Sequence, residues 1–331
     1  MRAQVLKRPG PVATGPLEIS EVPDPEPGSG ELLLSVAACG VCRTDLQLCE
    51  GDLEARTLPV VPGHQVVGLV TALGEGVTGW SIGDRAGVGW PASTCGTCDY
   101  CRRGRENLCT RSRFTGWDRD GGYATQMTVR ADYALALRRE ANALDVAPLL
   151  CGGIIGYRAL KVSGIEPGGR LGLFGFGASA LLAIQVALHW GCDVFVVTRS
   201  AGEQARALDM GAVWAGGYDA TPPVALSAAV TFAPVGSVVV SALTALERGG
   251  VVAVNAIHLD EMPGFPYEKL WWERQIRSVA NFTRADAHEF IDLAAELPIR
   301  TMVDRYPLSA ANQALTDVKS GTVHGAAVLE T

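Results

Sequence analysis

Four cysteines crowd into fifteen residues of this 331-residue chain: Cys95, Cys98, Cys101 and Cys109 in CGTCDYCRRGRENLC, a C-x2-C-x2-C-x7-C pattern. That spacing constrains folding more than any apolar run, because the loop must close on itself to bring four sulfurs together. The nine cysteines are an odd number, and the opening MRAQVLKRPG lacks the apolar stretch of a secretory leader, so no disulfide framework is expected. Four soft thiolates suit a tetrahedral Zn²⁺. With sulfur at every position the ion is structural and leaves no place for a substrate. An iron–sulfur cluster also takes four cysteines and stays as the alternative. The RRGR inside the loop reads as a solvated basic turn.

The rest of the chain has ample material for a core, with 48% hydrophobic and 19% charged residues, and its length fits two domains. A formal net charge of −7 offers no basic surface to nucleic acid or anionic lipid. The segment 171–192, LGLFGFGASALLAIQVALHWGC, carries no Asp, Glu, Lys or Arg and is long enough to span a bilayer. Its early glycines and serine read instead as a strand, a tight turn and a buried helix. No membrane partner is expected, and the expected location is the cytoplasm.

Up to about residue 150 the chain is β-rich and broken by Pro, Gly and Asp. From 168 onward, strands alternate with helical stretches, the pattern of a doubly wound parallel sheet. The last 45 residues show one amphipathic helix, DAHEFIDLAAEL, and a closing strand, AAVLE, too little for a domain and expected to return to the first one. Between the strand RLGLF and an apolar helix lies GFGASA, a G-x-G-x-x-A turn with Gly175, Gly177 and Ala180 in the three key places. Backbone N–H groups around Gly175, Gly177, Ala178 and Ser179 are expected to face a pyrophosphate. The next strand ends in Thr198, Arg199 and Ser200, with no acid to accept from a ribose 2′-hydroxyl. An arginine and two hydroxyls favour NADP(H); NAD(H) is permitted if Arg199 lies over the adenine.

Alone, His64 in VPGHQVVG reads as a core histidine whose ring nitrogens find backbone partners. A resemblance changes that reading. From GVCRTDL through PGH, the four-cysteine loop and LLCGGIIGYRAL to the glycine turn at 175, the chain resembles the zinc-dependent medium-chain alcohol dehydrogenases over nearly its whole length. The resemblance implies an α/β fold: a GroES-like β-rich catalytic domain over 1–151, completed by 284–331, and a Rossmann domain with a doubly wound parallel sheet over 152–283. It implies that Cys42, His64 and Cys151 hold a second, catalytic zinc as a Cys2His set with one position open. Asp45 then steadies the histidine ring, and Thr44 hydrogen-bonds the substrate oxygen. Trp90 and Trp117 become pocket candidates by similarity. Trp271 and Trp272 are weaker ones that serve equally well at a subunit interface. Cys39, Cys49 and Cys192 remain as buried thiols.

Four departures from the family pattern stand out. Gln65 follows the ligand histidine where relatives usually carry glutamate, and Gln47 stands where they often carry a proton-accepting histidine. Ala326 replaces a frequent arginine near the pyrophosphate. The stretch between Gly211 and Phe232 is short, so one sheet-covering helix is expected to be reduced. The implied activity is reversible hydride transfer between NADP(H) or NAD(H) and an alcohol, aldehyde or ketone, with two zinc ions per chain and a homodimer or homotetramer as the assembly. Reduction of an activated C=C bond, or a zinc-stabilised NADP(H)-binding regulator without turnover, are the rival readings.

Overall fold

The computed structural model covers Met1–Thr331. The chain forms two compact units, Met1–Cys151 with Thr283–Thr331, and Gly152–Phe282.

The first unit opens with the hairpin-like pair β1 (Arg2–Leu6) and β2 (Leu17–Glu21). The long strand β3 (Glu31–Val41) follows, then helix α1 (Arg43–Glu50) and strand β4 (Gln65–Leu73). Along β3, Leu32, Leu34 and Val36 alternate inward as the strand period requires, and from Ala38 to Val41 every residue is buried. Strands β3 and β4 pair antiparallel, with Gly40 opposite Gln65. One more step along that register sets Val41 against His64, with Cys42 next in line. The Gln65 side chain lies over Gly40 so closely that a Cβ there would sit 2.9 Å from Gln65 Cδ. Strand β5 (Arg85–Val88) extends the sheet. β6 (Pro91–Ser93), α2 (Asp99–Arg102) and β7 (Arg113–Phe114) frame the cysteine loop. β8 (Gln126–Arg130) pairs with β3, and β9 (Ala134–Leu137) with β5. The short α3 (Ala143–Val146) then runs through a 3-10 turn over Ala147–Leu150 to Cys151.

The second unit begins with α4 (Gly152–Ser163). Residues 143–163 are long and apolar enough, by composition, to cross a membrane, but more than half of that stretch is buried. The helical run also breaks at Cys151, whose φ is −131° and ψ −71°. The uncharged segment 171–192 is strand β10 (Arg170–Phe174), a glycine turn and helix α5 (Ala178–His189). Then come β11 (Asp193–Val197), α6 (Ala201–Asp209), β12 (Trp214–Gly216), β13 (Leu226–Thr231), α7 (Gly236–Ala245), β14 (Leu246–Val254) and β15 (Gln275–Ser278). All six strands are parallel, in the order β12-β11-β10-β13-β14-β15. Counted within the unit this is 3-2-1-4-5-6, the doubly wound order that reverses at β10. No helix lies between β12 and β13. Helix α7 went unread in the sequence because Val238–Val240 is a β-branched run; full burial of Val238 and Val239 overrides that strand preference.

The chain returns to the first unit through α8 (Arg284–Glu296), whose N-terminus is closed by a reciprocal cap between Thr283 and Asp286. The tail holds more structure than the expected helix and strand. It adds β16 (Val303–Pro307) and α9 (Ala311–Ser320) before β17 (Ala326–Glu330), which pairs parallel with β16 and antiparallel with β3.

Candidate active site

The register of β3 and β4 brings Cys42 and His64 together at one end of the sheet. Cys42 is the N-cap of α1 in extended conformation, and its Sγ accepts the Thr44 N–H at 3.3 Å. Asp45 closes the cap by accepting the Cys42 N–H at 2.9 Å. The other carboxylate oxygen of Asp45 lies 3.1 Å from His64 Nδ1. Both residues are buried. A proton on Nδ1 donated to Asp45 leaves the Nε2 lone pair free, and Nε2 is 3.4 Å from Cys42 Sγ. Cys151 ends the unit's first chain segment, placed by the fully buried Leu150 that packs against Gly87 of β5. The donor atoms of Cys42, His64 and Cys151 all lie within 4.8 Å of one another.

Each of these groups shifts the protonation of its neighbours. A hydrogen bond from the Cys151 thiol holds Cys42 well below the ordinary thiol range, against burial and with help from His64. That same bond, together with burial, holds Cys151 well above it. Burial pulls His64 down, but Cys42 and Asp45 outweigh it and raise the imidazole to about 10. Three donor atoms therefore share their protons, and protons of this kind are the ones a divalent cation displaces. The spacing also suits one ion. Bonds of about 2.3 Å to sulfur and 2.0 Å to nitrogen at a tetrahedral angle set the two atoms roughly 3.5 Å apart.

Aromatic rings stand beside this cluster. Trp90 meets His64 edge-on at 4.7 Å and stacks near-parallel with Phe114 at 5.1 Å and Trp117 at 5.8 Å. Phe114 was not read from the sequence; it lies across from Pro91 in the β6–β7 pair, and its spacing of three from Trp117 was the available signal. Arg56 lies 3.8 Å over the Trp117 ring and pairs with Asp118 at 3.3 Å. Thr44 and Gln47 are half-buried on α1, and Gln65 is buried at the start of β4. Trp271 and Trp272 are exposed next to β15 in the other unit, with Arg248 stacked 3.8 Å over Trp272. Ala326 begins β17 and donates its N–H to the Met302 carbonyl. Cys39, Cys49 and Cys192 are buried free thiols.

The four-cysteine loop closes as its spacing requires. Cys95 and Cys109 sulfurs are 3.5 Å apart, Cys98 and Cys101 3.5 Å, and Cys95 and Cys101 3.9 Å. Two thiolates on one tetrahedral zinc sit roughly 3.8 Å apart. A cluster with iron and sulfide between the thiolates needs a wider cage. Backbone N–H groups of Thr97 and Cys98 pull Cys95 down to about 5, and burial pushes Cys109 up to about 11.

At the C-terminal end of β10, Gly175 has φ of +90°, and a Cβ there would meet Ala233 N at 2.8 Å. Gly177 caps α5 with no side-chain partner and open space beside it, and Ala178 and Ser179 form the helix's first turn. A glycine turn and a helix start without a side-chain cap thus lie together at the end of β10. At the end of β11, Arg199 is exposed and Ser200 caps α6. Thr198 is buried, and its hydroxyl donates to Glu203.

A β-rich unit with two thiolate-rich clusters, followed in one chain by a 3-2-1-4-5-6 parallel sheet with a glycine turn at its switch point, is the architecture of a two-unit dehydrogenase. Comparison with known proteins agrees. Residues 28–139 match the alcohol dehydrogenase GroES-like domain. The chain is 50% identical to the probable alcohol dehydrogenase AdhA of Mycobacterium tuberculosis, over 99% of this chain and 97% of that protein. Among solved structures it is similar to a cobalt- and zinc-bound thermostable alcohol dehydrogenase from Pyrobaculum aerophilum, with 25% identity, a TM-score of 0.90, and coverage of 100% of this chain and 99% of that one. A putative zinc-binding dehydrogenase from Sinorhizobium meliloti bound to NADP gives 25% identity, a TM-score of 0.89 and the same coverage. The chain belongs to the zinc-type medium-chain dehydrogenase/reductase family and is an oxidoreductase of the alcohol dehydrogenase class.

Proposed function

We propose that this chain is a zinc-dependent alcohol dehydrogenase that interconverts alcohols and aldehydes or ketones, prefers NADP(H), and accepts planar apolar or aromatic substrates. The observation that carries this reading is the convergence of Cys42, His64 and Cys151, three ligands with one position left over, against an aromatic wall. A zinc ion held there would supply Lewis acidity, and a bound nicotinamide would supply the hydride chemistry. The chain's own residues do the rest. Asp45 fixes the tautomer and angle of His64, and its bond to the Cys42 N–H fixes α1. The Thr44 hydroxyl holds the substrate oxygen and, as the alcohol loses hydride, accepts its proton while giving up its own. Gln47 does not titrate, so that proton leaves through water. Gln65 keeps the environment of the ligand histidine uncharged. Trp90 and Trp117 position the substrate and exclude water. Gly175, Gly177, Ala178 and Ser179 seat the pyrophosphate, and Arg199 with the Ser200 hydroxyl meets the 2′-phosphate. Cys95, Cys98, Cys101 and Cys109 hold the structural zinc.

The first unit is accordingly the catalytic domain and the second the dinucleotide-binding domain. Free thiols at all nine cysteines fit a reducing compartment, and the cytoplasm is the location proposed. A homodimer or homotetramer is the proposed assembly. Strand β15 ends its sheet with an unpaired edge, and Trp271, Trp272 and Tyr267 lie exposed next to it, a combination that favours pairing with a second copy.

The test is a panel of aromatic and aliphatic alcohols, aldehydes and enals with both cofactors, run alongside metal analysis of the parent and Cys151→Ala. Two zinc ions in the parent, one in the variant, and loss of alcohol oxidation support the reading. A fully active Cys151→Ala enzyme, or turnover confined to enals, overturns it.

A further inference from the structure

Glu203 stands where the sequence pattern Ser200-x-x-Glu203 calls for a reciprocal helix cap, and only half of that cap forms. The Ser200 hydroxyl accepts the Glu203 N–H at 3.3 Å. The Glu203 carboxylate does not return to Ser200. It accepts the Thr198 hydroxyl instead. Thr198 is held in place to do this: its N–H donates to the Gly216 carbonyl at 2.9 Å, and its own carbonyl accepts Gln204 Nε2 at 2.8 Å. Tyr218 senses both charges at this strand end. Burial raises its phenol, Arg199 lowers it and Glu203 raises it again.

In a doubly wound sheet the end of the second strand reads the adenosine ribose. An acid there accepts from the 2′-hydroxyl, whereas a cation meets a 2′-phosphate. This chain carries both signs at that place: an exposed guanidinium on Arg199, and a carboxylate one hydrogen bond from Thr198. From this juxtaposition we infer that Glu203 is a specificity-determining residue, an acid delivered from helix α6 to the end of β11 through Thr198, where it reads the ribose and opposes Arg199. The inference rests on the proposed seating of a nicotinamide dinucleotide on the glycine turn. Its consequence is that the preference for NADP(H) is held in check, because Glu203 repels a 2′-phosphate and accepts from a free 2′-hydroxyl.

The experiment is fluorescence titration of the full chain with NADPH and with NADH, for the parent, Glu203→Gln, Thr198→Val and Arg199→Ala, with melting temperatures taken in parallel. Glu203→Gln should tighten NADPH about tenfold and weaken NADH, the scale of a single charge-assisted hydrogen bond. Thr198→Val, which frees the carboxylate from its anchor, should move the ratio of the two Kd values the same way by less. If Arg199→Ala weakens NADPH selectively while Glu203→Gln leaves that ratio within twofold, Glu203 does not read the ribose, and the cofactor assignment stands. Equal weakening of both cofactors in Glu203→Gln means that the Thr198–Glu203 bond only holds α6 against the end of β11, and it overturns the inference. If no variant changes either Kd, the end of β11 is not the adenosine site, and the seating itself falls.

Discussion

Asp45 Oδ1 and His64 Nδ1 lie 3.1 Å apart across the end of the β3–β4 ladder, and the other Asp45 oxygen holds the Cys42 N–H. One carboxylate thus orients two of the three residues in the Cys2His cluster. Asp45→Asn keeps the size and the cap acceptor but removes the charge that fixes the Nδ1 proton. Partners of metal-bound histidines are worth about 10–100-fold in metal affinity or activity. Zinc competition with a chelator should show a loss in that range for Asp45→Asn, with the fold kept by far-UV circular dichroism. Unchanged zinc affinity and activity would mean that the carboxylate only caps α1.

The four-cysteine loop has a different job and should fail differently. Helix α2 has four residues, none of them buried, so the loop has little apolar support of its own. Cys98→Ala is expected to lose one zinc and about 2 kcal/mol of stability, or roughly 5 °C in Tm. Zinc at the Cys42 cluster should remain, and turnover per folded molecule at low temperature should stay near the parent value. A variant that loses activity in proportion to zinc, at unchanged Tm, contradicts the structural assignment.

Acid stability has a traceable contributor at the far end of α1. Lys319 donates to Glu50 at 2.7 Å, Val12 N–H donates at 2.9 Å, and together they hold the Glu50 carboxyl below its usual range, the lysine bond being the larger cause. A folded-state pKa below the unfolded one contributes stability above the unfolded value of about 4.3. That contribution is lost as pH falls through the folded value. Glu50→Gln should therefore lower Tm at neutral pH, and the two melting curves should converge below about pH 4. A constant gap down to about pH 3 would show that packing, and not the charge, is responsible.

The sequence made some of this site legible because its information is local. The cysteine loop and the glycine turn are each set by neighbours along the chain, so spacing alone pointed to them. Cys42, His64 and Cys151 are not local: the β3–β4 register and the burial of Leu150 unite them, and only the family resemblance joined them beforehand. The Thr198–Glu203 bond escaped because Ser200-x-x-Glu203 reads as an ordinary cap, and nothing in the pattern says that the carboxylate turns toward the strand. In the tail, α9 begins at Ala310 without a side-chain cap, so the usual start signal is missing.

The aromatic wall predicts a split between substrates. Trp90 meets His64 edge-on at 4.7 Å and stacks with Phe114 and Trp117, a near-parallel aromatic set beside Cys42, His64 and Cys151. A planar ring on the substrate buries more area there and also stacks, while a short aliphatic alcohol does little of either. Trp90→Ala should raise KM for aromatic alcohols about tenfold, close to 1.4 kcal/mol, and leave KM for small aliphatic alcohols within about twofold. Because Trp90 also packs on His64, loss of kcat for every substrate is the competing outcome, and it would point to a misplaced imidazole. Trp90→Phe separates the two: it keeps a ring against the imidazole and should recover most of the aromatic KM. Steady-state kinetics on matched aromatic and aliphatic alcohols, with zinc content measured for each variant, give the answer. If KM rises equally for both substrate classes while zinc stays bound, the wall does not select aromatic substrates.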